Sequence, residues 1–213
     1  MEEKLFSVTI SHQIGSGGAY IGEKLSERLG IPFLDRAILK EVSNQLNLAE
    51  SELEHREERL SSFWENFNRL VAYTNPTTSL TSQTYFPTDK DLFQVECDTI
   101  KRIAEKSSAI FLGRCGYYVL RDHPRKVSIM LIADQSSRVK RLQELYKISE
   151  KEALEMIRTN DRERSEYIRT FTKQDWLDVR LYDICINTTS VGLDCAADLA
   201  ENCIRAKLRL TEK

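Results

Sequence analysis

The segment SHQIGSGGAYIG, residues 11–22, concentrates Gly15, Ser16, Gly17 and Gly18 ahead of Ala19 and Tyr20. Glycines in such a run let successive backbone N–H groups face one concavity. A helix starting directly behind them adds the positive end of its dipole, and the two together cradle phosphate. An ordinary tight turn between strand and helix uses the same residues, and the position after a first strand favours the cradle. A P-loop of pattern GxxxxGK[ST] would also supply a lysine for the transferred phosphates and a hydroxyl for magnesium; in that register the two positions hold Gly18 and Ala19. If the chain is a kinase, positive charge for phosphoryl transfer must come from elsewhere, and Mg2+ must be held mainly through nucleotide oxygens and water.

Arginines are the available cations. Arg114 stands in Gly113-Arg114-Cys115 behind an apolar run, at the strand end where open α/β sheets bind ligands, and its planar fork suits phosphate; a surface ion pair is the alternative. Arg121 is near enough in sequence to assist, or is solvated. Arg138 with Arg141, and Arg158 with Arg162, are spaced to share helix faces, with Arg164 close behind. They read either as a solvated, ion-paired face or as a phosphate-clamping lid, and the missing lysine favours the lid. The expected catalytic set is therefore Arg114, Arg138, Arg141 and Arg162. Among carboxylates, Asp35 could accept a proton, orient a sugar or bind a magnesium-held water, and it could equally cap the helix behind it. Asp161, Arg164 and Tyr167, with Trp176, Asp178 and Tyr182 further on, form a polar-aromatic stretch suited to a base or sugar, although Trp176 fits a packed core as well.

Positioning these groups requires strands and helices in alternation. Residues 5–10 (LFSVTI), 31–35 (IPFLD), 109–113 (AIFLG), 127–133 (VSIMLIA) and 182–188 (YDICINT) read as short buried strands. Helix-length connections between them call for parallel neighbours. Ile21, Leu25 and Leu29 give the first helix its stripe, and Gly30 ends it ahead of Pro32. Leu92, Val95, Ile100 and Ile103 mark a helix over 89–106, and the terminal helix covers 194–210. The expectation is a three-layer, doubly wound α/β fold with a five-stranded parallel sheet, one domain over 1–213. Residues 36–106 form a helical insertion and 136–172 a lid-like helical segment. The uncharged stretch 74–88, with two prolines and many hydroxyls, reads as a loop.

Composition bounds the class. The 213 residues carry 31 Lys and Arg against 33 Asp and Glu, a net charge of −2, with 41% hydrophobic residues. No basic surplus suggests nucleic acid, and no apolar run reaches the roughly 20 residues of a membrane helix. A cytoplasmic protein with no nucleic-acid or membrane partner is expected. Cys97, Cys115, Cys185, Cys195 and Cys203 form no CxxC pair and read as reduced, mostly buried thiols; His12, His55 and His123 are isolated, so no metal site is expected.

Five blocks in order, TISHQIGSGG, IPFLDRAIL, FLGRCGYYVL, IADQSSRVKR and DRERSEYIRTFTKQDWLDVRLYDICINT, resemble the cytidylate kinase-like family of P-loop nucleoside monophosphate kinases. The blocks span nearly the whole chain, with 47–88 weakly matched. The resemblance implies transfer of the ATP γ-phosphoryl group to a nucleoside monophosphate such as CMP. It places Gly15 to Tyr20 at the ATP phosphates and turns Asp35 and Arg36 to the acceptor nucleotide. Arg114 would hold the acceptor's phosphate, Arg138 and Arg141 would belong to the lid, and Asp161 with Arg164 would sit near the acceptor or the transferred group. The partner implied is a small-molecule nucleotide, with a homodimer left open. A non-catalytic domain that binds a nucleotide or anion as a regulatory module is the alternative.

Overall fold

Val8, Ile10, Val127, Ile129 and Leu131 are almost wholly buried, and strands carrying such residues must be covered on both faces. In the computed structural model, which describes residues 5–35 and 90–210, they lie at the centre of a parallel sheet. Its strands are β1 (Ser7–His12), β2 (Phe33–Leu34), β3 (Ala109–Leu112), β4 (Lys126–Ile132) and β5 (Ile184–Asn187). The spatial order is β2-β3-β1-β4-β5 and every pairing is parallel. From β1 the chain runs to the edge strand β2, returns through β3 and crosses β1 to β4 and β5, as a doubly wound α/β fold, and the C-terminal ends of β1, β3 and β4 meet where the direction reverses.

Side-chain alternation assigns two cores. One face of the sheet gives Val8, Ile10, Ile110, Val127, Ile129, Leu131 and Ile186 to a cluster with α1 (Gly18–Leu29) and the late helix Leu193–Leu208. The other face gives Ala109, Phe111 and Met130 to a cluster closed by α2 (Lys90–Lys106), α3 (Gly116–Val119) and the C-terminal part of a long helix, Glu150–Thr172. Numbered in chain order, α4 is Gln135–Tyr146, α5 is Glu150–Thr172, α6 is Thr188–Val191 and α7 is Leu193–Leu208. Helices α4 and α5 also bury Val139, Leu142, Ala153 and Ile157 between themselves, and Ile14 packs on that cluster.

Helix boundaries follow local chemistry. Gly30 closes α1 in the left-handed conformation, φ 65°, with its N–H donating to the Ser26 carbonyl. Ser149 and Glu152 form a reciprocal capping box at the start of α5. Ile100 and Ile103 of the α2 stripe are fully buried, whereas the Leu92 and Val95 side chains lie outside the description. The expected insertion over 36–106 is described only in its last helix, and the 74–88 loop and Arg36 fall outside the described residues. Of the thiols expected to be mostly buried, only Cys97 and Cys115 are; Cys203 is intermediate, and Cys185 and Cys195 are exposed, because β5 is an edge strand and Cys195 faces outward from α7. Among the described residues no helix is long and apolar enough to cross a membrane.

Gly22 sets how closely α1 approaches the sheet edge. A Cβ built there would stand 2.2 Å from the Phe33 ring. G22A should therefore destabilise the protein by about 1–3 kcal/mol through overpacking, read as a lowered urea midpoint with an unchanged m-value.

Candidate functional site

All the strand-end motifs converge on one edge of the sheet. The glycine loop follows β1, Asp35 follows β2, the Gly-Arg-Cys turn follows β3, Asp134 follows β4 and Thr188 follows β5.

The loop is fixed from below by hydrogen bonds. Gln13 N–H donates to the Leu131 carbonyl at 3.1 Å, and the Gln13 side-chain oxygen accepts from Ala133 N–H at 3.2 Å. Ser16 is fully buried, and its hydroxyl bonds to the Gln13 and Leu131 carbonyls at 2.8 and 3.1 Å. The Thr188 hydroxyl donates to the Ser16 carbonyl at 2.9 Å. Gly17 has φ 87°, which strains any side chain there, and a Cβ on it would stand 2.3 Å from a Leu193 Cδ of α7, so the Leu193 side chain would also have to move. Helix α1 then begins with neither a side-chain cap nor an acid in its first turn. Its first internal bond runs from Ile21 N–H to the Gly17 carbonyl, so the N–H groups of Gly18, Ala19 and Tyr20 have no acceptor within the helix. Three donors without an acceptor among the described residues and a positive dipole end are what an anion requires. The Tyr20 hydroxyl points elsewhere, to Asp194 on α7 at 2.7 Å.

Three arginines hold the outer side of this loop. Arg138 donates from Nε to the Ile14 carbonyl at 2.6 Å and pairs through Nη2 with Asp161 at 2.8 Å. Arg141 donates from Nη1 to the Gly15 carbonyl at 2.6 Å, and Arg164 donates from Nη1 to the His12 carbonyl while its guanidinium lies over the Trp176 ring at 5.5 Å. The shared face expected for Arg138 and Arg141 is present. Its use differs from an open lid, because Arg138 is only 4% exposed and its guanidinium is engaged by a loop carbonyl and a carboxylate. Arg162 is exposed, and Arg158 is exposed and paired with Glu155. Arg121 stacks on Tyr118 at 4.5 Å and stays solvated.

Arg114 stands at the C-terminal end of β3. Gly113, Arg114 and Cys115 are all left-handed, with φ 74°, 51° and 55°, a conformation that costs a non-glycine residue roughly 1–2 kcal/mol and persists only where surroundings enforce it. Glu96 of α2 accepts from Arg114 Nη1 at 3.2 Å and from the Tyr167 hydroxyl at 3.2 Å. Sequence reasoning missed Glu96, whose helix carried no chemical signal. Asp35 is 8% exposed; burial, Glu27 and then Asp35 together raise the pKa of Glu23 on α1. Trp176 is 2% exposed and belongs to the core, with Tyr182 donating to its carbonyl at 2.7 Å. Asp161 reaches Arg138, and Arg164 reaches the glycine loop at the His12 carbonyl. Among the described residues no group of three or more His, Cys, Asp or Glu side chains could hold a metal.

His12 was also missed. Its half-buried ring lies against Gly18, where a Cβ would stand 2.5 Å from the imidazole Cγ. Burial, then the Arg164 and Arg138 charges, hold its pKa well below 6.5. The folded ring therefore refuses a proton that the unfolded chain accepts near pH 6.5, so its contribution to stability is complete above that value and is lost as pH falls through it. His123 is lowered too, so both act in the same direction. In H12Q the fall in Tm between pH 7.5 and 5.5 should be smaller than in the parent, measured by calorimetry at matched ionic strength. R138A should cost about 2–3 kcal/mol in urea unfolding, somewhat under the full value for a buried pair because Asp161 is 26% exposed; R138K should not recover it, since the fork to Ile14 and Asp161 is lost.

Comparison with known proteins is consistent with this architecture. A family model described as the cytidylate kinase-like family matches residues 7–190. Among solved structures, an uncharacterized protein from Eubacterium ventriosum ATCC 27560 is similar, at 25% identity and a TM-score of 0.71, covering 95% of this chain and 99% of that one. A gluconokinase from Sinorhizobium meliloti 1021, at 14% identity and a TM-score of 0.50 over 96% of this chain and 94% of its own, shares the fold. A comparison with curated proteins gave no match. A match over residues 7–190, on a parallel sheet with its glycine loop behind the first strand, makes the chain a member of the cytidylate kinase-like family.

Proposed function

We propose that the chain transfers the γ-phosphoryl group of ATP to a nucleoside monophosphate such as CMP. The observation that carries this reading is the uncapped, acid-free start of α1 behind a loop whose carbonyls are turned outward to arginines. A carbonyl and the N–H of the next residue point in opposite directions across a trans peptide. Holding the Ile14 carbonyl on Arg138 therefore aims the Gly15 N–H toward the other side. Membership in the cytidylate kinase-like family supports nucleotide-dependent phosphoryl transfer in general. In this reading the donor phosphates lie on the N–H groups of Gly15 and of 17–20, the Ser16 N–H being held by the Gln13 carbonyl, and Mg2+ arrives with the nucleotide, coordinated mainly by phosphate oxygens and water. The acceptor phosphate draws Arg114 from Glu96, with Asp35 at the acceptor's far side. Catalysis is then alignment of the two phosphates and neutralisation of the charge that develops between them.

A second reading, a regulatory module that binds nucleotide without turnover, is favoured by one observation. The two positions that would supply the lysine and the hydroxyl are Gly18 and Ala19, and the Ser16 hydroxyl is committed to two carbonyls.

Coupled assays with ATP·Mg against CMP, dCMP and UMP, run beside thermal-shift titrations of the same nucleotides, separate the two. The first reading expects turnover with at least one acceptor, and a KM for that acceptor raised about 10- to 100-fold in R114A, the loss of one charge-assisted hydrogen bond to phosphate. A thermal shift with ATP and no turnover above the blank across the panel supports the second.

A further inference from the structure

The pattern GxxxxGK[ST] fixes three positions relative to its last glycine. With Gly17 as that glycine, the lysine falls at 18 and the first glycine at 12, where this chain has Gly18 and His12. The two departures are in contact. A Cβ built on Gly18 would stand 2.5 Å from His12 Cγ, 2.8 Å from Cδ2 and 3.0 Å from Cβ. No side chain can leave position 18 while the imidazole remains, and a glycine at 12 would vacate the space a residue at 18 needs.

We propose that His12 is the side chain this protein presents to the donor phosphates, filling from the opposite end of the loop the volume in which a P-loop lysine starts, so that positions 12 and 18 form one interchangeable pair. The inference rests on the donor-phosphate reading of the loop given above.

The chemistry suits the place. The ring lies beside the first residue of α1, whose N–H has no acceptor within the helix, and its own carbonyl is held by Arg164. The charged groups shown acting on it are Arg164 from α5 and Arg138 from α4, the latter engaged by Asp161 of α5. Two guanidiniums and burial keep the imidazole neutral without an anion. A polyphosphate entering that field reverses the balance, since a nearby opposite charge favours the protonated ring. The bound state then has a cation with two N–H donors where the free state has a neutral ring, and binding takes up a proton. A lysine would be charged in both states.

Inorganic tripolyphosphate tests this on the full chain without reference to turnover. In the parent, imidazole resonances followed by 1H–15N NMR should show the His12 pKa rising by roughly one unit or more at saturating tripolyphosphate, while His123 stays in place. By calorimetry, H12A should bind at least about tenfold more weakly, as for loss of one charge-assisted contact. G18K alone should lower Tm and affinity through the clash, and H12G/G18K should recover affinity to within a few-fold of the parent. An unchanged His12 titration at saturation, or H12A binding as tightly as the parent, overturns the inference while leaving the loop as a phosphate site. Failure of the parent to bind tripolyphosphate overturns the donor-site reading itself, and this inference with it.

Discussion

The orientation of the peptide groups in residues 12–16 is the constraint on which the site depends. Guanidiniums on Arg138, Arg141 and Arg164 take the carbonyls of Ile14, Gly15 and His12, while the sheet takes the Gln13 N–H and the Ser16 hydroxyl. Neither set alone would orient the loop. Glycines make the necessary dihedrals accessible, but accessible is not populated, and a run of glycines left to itself loses more entropy on ordering than any other. The arginines supply the bias. They also leave their charge within a few ångströms of the helix start, in surroundings that exclude much of the water. The same contacts that make the loop rigid therefore make it electropositive.

The rest of the fold keeps those arginines in place. Asp161 restrains Arg138, and Trp176, fixed in the core on the far face of the sheet, lies under Arg164. Ile14 anchors the loop in the small apolar cluster between α4 and α5. At the neighbouring strand end, Glu96 draws Arg114 and Tyr167 together, and this pairing accompanies three consecutive left-handed residues. Arg138 and Arg114 are thus each restrained by a carboxylate from a covering helix. The arrangement concentrates positive charge in a protein of net charge −2 while pairing Arg138 and Arg114 with carboxylates.

Much of this was legible in the sequence, for identifiable reasons. Five apolar runs with helix-length connections leave few arrangements besides a parallel sheet, and even the two-residue β2 was visible because Phe33 and Leu34 stand between Pro32 and Asp35. The glycine cluster and the supply of arginines were legible as residue types. Which way each arginine turns was not, because a guanidinium serves a carbonyl as well as a phosphate and the choice is made by tertiary approach. Trp176 was ambiguous on the same ground, being amphipathic in type and buried by position. His12 escaped notice because its importance is a matter of distance to Gly18, and an isolated histidine in a sequence carries no such distance. Glu96 escaped because one glutamate in a charged helix looks like any other.

The contacts that orient the loop have one further consequence. The donors to His12, Ile14, Gly15 and Ser16 stand 152, 124, 126 and 172 residues away along the chain. Because these partners follow the loop in the chain, its carbonyls cannot all be engaged until synthesis has passed Thr188. Such distant closures are the slow ones in folding. The orientation of the glycine loop therefore depends on segments made long after the loop itself.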